Sequence, residues 1–142
     1  MTKEDFLREL STNLNITLTE KQISELNFYA KFLLEYNEHT NLTAIKTLED
    51  VYLKHFYDSL TIVKVVDLNK INTLCDVGTG AGFPGIVLKI VFPNLKITLI
   101  DSLQKRVNYL NTIIKELNLN NIEAVHARGE EYKGKFDLVT SR

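Results

Sequence analysis

Cysteine is nearly absent from this chain of 142 residues. Cys75 stands alone, which excludes an internal disulfide framework and suits a reducing cytosol. An excess of one charge is lacking too. The formal net charge is -1, which does not advertise a polyanion-binding protein, although a near-neutral chain can still carry a local basic face. No apolar run is long enough to span a bilayer, and Met1-Thr2-Lys3-Glu4-Asp5 has no signal-peptide apolar core. Repeats, low-complexity tracts and Gly/Ser linkers are missing. No Cys/His cluster has zinc spacing, so no metal is expected. What is present is the material of one ordinary domain: 44% hydrophobic and 25% charged residues, enough to bury a core and stay soluble.

Two halves read differently. Residues 1–70 read as helical. Thr2 with Asp5 three positions on is a capping-box pattern, ahead of Phe6, Leu7 and Leu10. Thr19 can cap a longer helix in which Ile23, Leu26, Ala30 and Leu33 recur at helical spacing. Thr47 opens a third, with Val51, Phe56 and Leu53 as its buried side. Asp58 or Ser59 starts another, through Leu60, Val63 and Val66.

Residues 71–142 alternate. Strands are expected at about 73–77, 96–100, 122–126 and 136–140. Helices are expected from Pro84 to about Val91 and from about Leu103 to Leu117, the latter with Val107, Leu110, Ile114 and Leu117 on one face. Strand, helix, strand, helix implies parallel strands joined by right-handed crossovers. The last strand would normally be central in such a sheet. Because the chain stops at Arg142, it is expected as an edge, in the front part of a larger fold.

The densest signal is Asp76-Val77-Gly78-Thr79-Gly80-Ala81-Gly82-Phe83-Pro84-Gly85, an apolar strand running into a glycine turn before a helix. At the C-terminal edge of a parallel sheet, such a turn binds a nucleotide-like cofactor. Two frames are open. From Gly80 the turn fits G-x-G-x-x-G, the dinucleotide fingerprint. From Gly78 it is G-x-G-x-G. Gly78 directly follows the strand, Phe83 then crowds the place of the third dinucleotide glycine, and Asp76 would repel a pyrophosphate. These points favour a cofactor without a pyrophosphate, a methyl donor, with Gly78, Gly80 and Gly82 in its site. Asp101, about twenty residues past the turn at a strand end, is placed to accept from ribose hydroxyls. A helix cap is its structural alternative. Gly129, after the third strand, could offer its N–H to an adenine edge or simply sit in a polar loop.

Three segments together resemble the bacterial 16S ribosomal RNA guanine-N7 methyltransferase family, once called glucose-inhibited division protein B. They are Asn37-Glu38-His39-Thr40-Asn41-Leu42-Thr43-Ala44-Ile45; Lys54-His55-Phe56-Tyr57-Asp58-Ser59-Leu60; and Asp76 to Gly85 continued by Thr98-Leu99-Ile100-Asp101-Ser102-Leu103-Gln104-Lys105-Arg106. The resemblance covers the whole chain but about the first two-thirds of the family's length. It implies a Rossmann-like S-adenosylmethionine methyltransferase sheet, incomplete with about four parallel strands, and a helical N-terminal cap that packs over the cofactor edge. It implies S-adenosyl-L-methionine as cofactor, held by Gly78, Phe83, Gly129, Glu130 and Arg142. Gly129 stands where the family has alanine or a similar small residue. The implied partner is 16S ribosomal RNA or the small ribosomal subunit, and the expected form is a cytoplasmic monomer without membrane attachment.

Guanine N7 has a lone pair and no proton, so its methylation needs no general base, and no catalytic residue is nominated. Asn37, Asn41, Thr43, His55 and Asp58 are polar candidates near the RNA side; each can equally cap or turn the chain. His39 reads as a solvated helix end and His126 as structural. Cys75 reads as packing rather than a nucleophile. Lys89, Lys105 and Arg106 could touch phosphates or belong to a solvated face. Two other functions stay open: a nicotinamide-dinucleotide-binding oxidoreductase, using the frame from Gly80, and a non-catalytic cofactor-binding fragment.

Overall fold

The computed structural model describes residues 1–142 as two compact units, Met1–Asp67 and Leu68–Arg142. No helix is long and apolar enough to cross a membrane.

The first unit is helical. Helix α1 (Lys3–Leu14) opens with the reciprocal capping box of Thr2 and Asp5, which satisfies two amides that the helix itself cannot. It closes on Asn15 at φ 55°, in the left-handed region, with the Ile16 N–H reaching back to the Leu10 carbonyl. Helix α2 (Glu20–Asn37) opens on a second capping box, Thr19 with Gln22. Residues 48–64 then form one helical path whose hydrogen-bond spacing changes along it. A turn α3 (Leu48–Asp50) leads into a π-helical stretch Val51–Tyr57, a turn α4 (Asp58–Leu60) and a 3-10 turn Thr61–Lys64. No fresh helix starts at Asp58 or Ser59, contrary to the sequence expectation. Asp58 is itself helical at φ −56°, and the Ser59 hydroxyl donates back to the His55 carbonyl at 2.5 Å instead of capping forward. The core is mostly leucine together with an aromatic cluster. Phe56 meets Tyr52 edge-on at 5.3 Å and Tyr29 in a stack at 5.5 Å, and Phe6 lies 5.2 Å from Tyr52.

Asn37 ends α2 and organises the loop that follows. Its Oδ1 accepts from the Leu42 and Thr43 amides at 2.7 and 3.0 Å, and its Nδ2 donates to the Thr43 carbonyl. Thr43 Oγ1 then accepts from the Ile45 amide and lies 2.9 Å from His55 Nε2. These polar residues therefore hold one another, and Asn37 is only 5% exposed.

The second unit is a parallel sheet of order β3-β2-β1-β4, formed by β1 (Thr73–Val77), β2 (Lys96–Asp101), β3 (Ile122–His126) and β4 (Leu138–Ser141). Helices α5 (Gly85–Val91) and α6 (Gln104–Glu116) make the first two crossovers. The chain then returns past both inner strands and lays β4 on the far side of β1. β4 is thus an edge, and its Val139 is exposed. Both faces of β1 and β2 are covered, which is why they read as apolar runs rather than alternating ones. The buried side of α6 carries Val107, Tyr109, Leu110 and Ile113. It is broader than the expected stripe because α6 packs across both β2 and β3. Leu117 falls at the C-cap and, like Ile114, is half-buried.

Replacing the buried Asn37 by alanine strips three hydrogen bonds from a partly buried loop, with an expected loss of about 2–3 kcal/mol. Thr19→Ala removes one exposed cap and should cost about 1 kcal/mol. Urea unfolding of both variants checks the order; equal losses would mean that Asn37 is no more than a surface cap.

Candidate functional site

The reversal of strand order falls between β1 and β4, and ligands of open α/β sheets bind outside the carboxyl ends of the strands at such a point. The glycine turn lies there. Gly78, Gly80 and Gly82 have φ of 68°, 61° and 103°, which side-chain-bearing residues rarely adopt. The path is pinned by donors and acceptors within the protein. The Gly78 and Thr79 amides both reach the Ile100 carbonyl, at 2.8 and 3.1 Å. The Gly82 and Phe83 amides return to the Thr79 carbonyl, both at 3.0 Å. The Gly80 amide donates to Asp101 Oδ2 at 2.9 Å, and the Gly85 amide to Asp76 Oδ2 at 2.9 Å.

Asp76 is the fastener that sequence reasoning missed. It is fully buried in β1. Its Oδ2 accepts from Thr79 Oγ1 and Gly85 N, and its Oδ1 from Thr140 Oγ1 on β4, at 2.7, 2.9 and 3.0 Å. One carboxylate thereby ties the turn, the start of α5 and the edge strand together. Burial pushes it up to about 6, against the pull of those hydrogen bonds and of the Arg142 charge. A carboxylate inside an apolar strand, followed by Thr three residues on and Gly nine on, was the available signal. Gly85 is obligatory for a different reason: a Cβ there would fall on Leu99 Cδ2 and 3.0 Å from Asp76 Oδ2. Pro84 takes the N-cap position, so α5 begins at Gly85, one residue later than expected.

Outside the turn lies a cavity of ≈ 300 Å³, walled by Val77, Gly78, Asp101, Ser102, Ala127, Arg128, Gly129 and Glu130. It brings four of the sequence-predicted residues together: Gly78, Asp101, Gly129 and Glu130. Gly80, Gly82, Phe83 and Arg142 lie outside this lining. Gly82 is buried within the turn, and the Arg142 guanidinium sits 5.6 Å from the centre of the Phe83 ring. Asp101 ends β2 and is 2% exposed. Besides Gly80, it accepts the Leu103 amide through Oδ1 at 3.0 Å, which closes a turn ahead of α6; Asp101 is not the helix cap, since Leu103 takes the N-cap position with no side-chain cap bond. A carboxylate has about four acceptor sites, which leaves capacity for a ligand hydroxyl. Gly129 packs against Val77: an added Cβ would come 2.5 Å from Val77 Cγ1. The alanine expected here would collide with the cavity's apolar wall.

None of the remaining candidates is part of this lining. His126 Nε2 lies 3.0 Å from the Ser102 carbonyl. Lys89 is buried and donates to the Pro93 and Leu95 carbonyls. Cys75 is buried, and its burial, reinforced by the Asp76 charge, pushes the thiol up to about 11, which fits packing rather than nucleophilic chemistry.

Comparison with known proteins gives a coherent result. The family model described as rRNA small subunit methyltransferase G matches residues 22–142. A Lactobacillus helveticus protein named ribosomal RNA small subunit methyltransferase G is 51% identical over 150 aligned positions, covering 100% of this chain and 62% of its own length. The chain therefore spans about three-fifths of such relatives. Among solved structures, a protein-L-isoaspartate O-methyltransferase superposes on 99% of this chain and 47% of its own, with a TM-score of 0.67 at 13% identity. A SAM-dependent methyltransferase from Aquifex aeolicus covers 64% of this chain and 50% of its own, with a TM-score of 0.52 at 28% identity. The fold is the Rossmann-like one of such methyltransferases.

Gly85→Ala should fail to reach wild-type stability by about 3 kcal/mol or more, since neither Leu99 nor the Asp76 carboxylate can give way cheaply. Gly78→Ala meets no atom within 4 Å and carries only the left-handed backbone cost, about 1 kcal/mol. Thermal or urea unfolding separates the two.

Asp76 makes a pH prediction with a definite sign. Its folded value, about 6, lies above the unfolded carboxylate value of about 3.9, so the folded chain holds the proton more tightly. Its contribution is fully present below pH about 4 and is lost as pH rises through about 6, by an amount on the order of 3 kcal/mol. Asp5 and Asp137, both lowered by hydrogen bonds, act in the opposite sense and cancel in a comparison with Asp76→Asn. The stability of wild type minus that of the variant should therefore climb on going from pH 7 to pH 4. A flat difference would sink the idea.

Proposed function

Because the chain belongs to the rRNA small subunit methyltransferase G family, we propose that it carries the donor-binding part of an S-adenosylmethionine-dependent enzyme that methylates N7 of a guanine in 16S ribosomal RNA. The observation that carries this reading is the cavity at the strand ends, where Gly78, Asp101, Gly129 and Glu130 converge. Its wall suits a nucleoside. Val77 offers an apolar surface, Asp101 offers carboxylate oxygens at a strand end for ribose hydroxyls, and the 129–130 backbone offers polar groups for an adenine edge. Phe83 and Arg142 would bound the site from the turn side.

The donor, when bound, supplies both the methyl group and its own leaving group. The residues of this chain are then left with positioning and with shielding the reaction from water. N7 of guanine carries a lone pair and no proton, so no side chain has to act as a base. This matches a site whose two aspartates both spend oxygens on backbone amides. The nicotinamide reading fares worse on physical grounds. A pyrophosphate needs free N–H groups at a helix start, and the Gly85 amide at the start of α5 is already taken by the Asp76 carboxylate. The partner would be 16S ribosomal RNA, alone or in the small subunit, met in the cytoplasm by a monomer.

Calorimetric titration tests the reading. S-adenosylmethionine should bind saturably and NAD should not, and Gly78→Arg should abolish the signal by filling the cavity mouth. NAD binding without donor binding would overturn the proposal. Because the chain spans 62% of its relatives' length, RNA methylation by residues 1–142 alone is expected to be weak or absent. Robust turnover would show that the donor half suffices.

A further inference from the structure

Asp101 is the one acidic side chain of the cavity wall that is buried, and it has a cationic neighbour in the first turn of α6. Its carboxylate is 1% exposed, and Arg106 Nη1 stands 3.6 Å from its Oδ2. That oxygen is the same one that receives the Gly80 amide. The Arg106 guanidinium is 34% exposed, pairs with no other acid, and has a buried Nε that meets no acceptor. No second carboxylate shares the guanidinium. Its backbone amide bonds to the Leu103 carbonyl at 3.1 Å, and the Leu103 amide bonds to Asp101 Oδ1 at 3.0 Å, so the short 101–106 segment links the two side chains through its own backbone.

We propose that Arg106 is a positioning residue for ribose recognition, acting through Asp101. The inference rests on the donor reading above. A buried carboxylate asked to bind a ligand hydroxyl must keep its lone pairs aimed. Two backbone amides fix its orientation. Arg106 supplies the only full countercharge, at a distance that leaves the oxygen open to a further donor. This separates the two basic residues that the sequence places side by side. Arg106 faces inward to Asp101, whereas Lys105 is exposed and has no ion pair with Asp101. The pattern Asp101-Ser102-Leu103-Gln104-Lys105-Arg106 therefore encodes a carboxylate and, five residues on, its counterion.

The test compares two ligands, S-adenosylhomocysteine and its 2′-deoxy analogue, by calorimetry on the 142-residue chain and its variants. Wild type should prefer the hydroxyl-bearing ligand. Arg106→Gln should lose about three- to tenfold in affinity for that ligand and little for the deoxy analogue, since coupled residues in one network show interaction energies of this scale. Arg106→Lys, which restores a point charge, should recover most of the preference, and melting temperatures check that each variant is folded. An equal loss for both ligands in Arg106→Gln would overturn the proposal, as the signature of a merely structural arginine. No loss for either would overturn it too. A folded wild type that binds neither ligand would overturn the donor reading and this inference with it, whereas one that binds both equally would overturn only the ribose role.

Discussion

The second unit depends on one buried carboxylate. Asp76 sits in the middle of the sheet with no exposed surface, and such a group is tolerated only when hydrogen bonds replace its water. Here three do, and each comes from a different piece of chain: the turn, the start of α5 and β4. The arrangement costs burial energy, visible as a carboxyl pushed up to about 6. In exchange it fixes the geometry of a turn that glycine alone would leave loose. Glycines make the left-handed turns possible; they do not select among them. The selection comes from Asp76 on one side and Asp101 on the other.

These two aspartates have similar burial and different outlooks. Asp76 closes contacts inside the protein, and all its partners are protein groups. Asp101 stands at the end of the next strand, in the cavity wall, with acceptor capacity to spare. The parallel register places Val77 beside Ile100, so the two strand ends are level and the residues that follow both of them face one opening. β3 joins with Asp101 opposite His126, which brings the 127–130 loop to the same edge. Sheet register thus assembles the cavity, and the loops need only be short.

The parts of this arrangement that depend on near neighbours in sequence were legible. The Thr2 box and the Thr19 cap are local, and so are the first three strands; β4 was legible as a strand but begins at Leu138, two residues later than expected. Gly78 and Asp101 followed from strand ends. What could not be read were contacts across distance. Thr140 reaches Asp76 from sixty-four residues away, and no pattern near either residue announces it. The same holds for Val77 against Gly129, where one small residue makes room for one branched one. The helical path of residues 48–64 reads in the sequence as two helices because aspartate and serine usually cap forward; here Ser59 bonds backward, and only the surrounding helix decides which.

The glycine fingerprint shows why spacing alone is a weak guide to a ligand. Both frames, from Gly78 and from Gly80, are present in the same ten residues, and both predict positive φ and close approach. They differ in what must remain unpaired. A pyrophosphate is held by amides that have no partner in the protein. In this turn the amides of Gly78, Thr79, Gly80, Gly82, Phe83 and Gly85 all have protein acceptors, two of them carboxylates. An anion would have to displace those acceptors and then sit beside two buried negative charges. A cation, or a neutral nucleoside joined to one, meets no such penalty. The count of spent amides, rather than the count of glycines, therefore decides between the two cofactor classes, and it does so in favour of a ligand without a diphosphate.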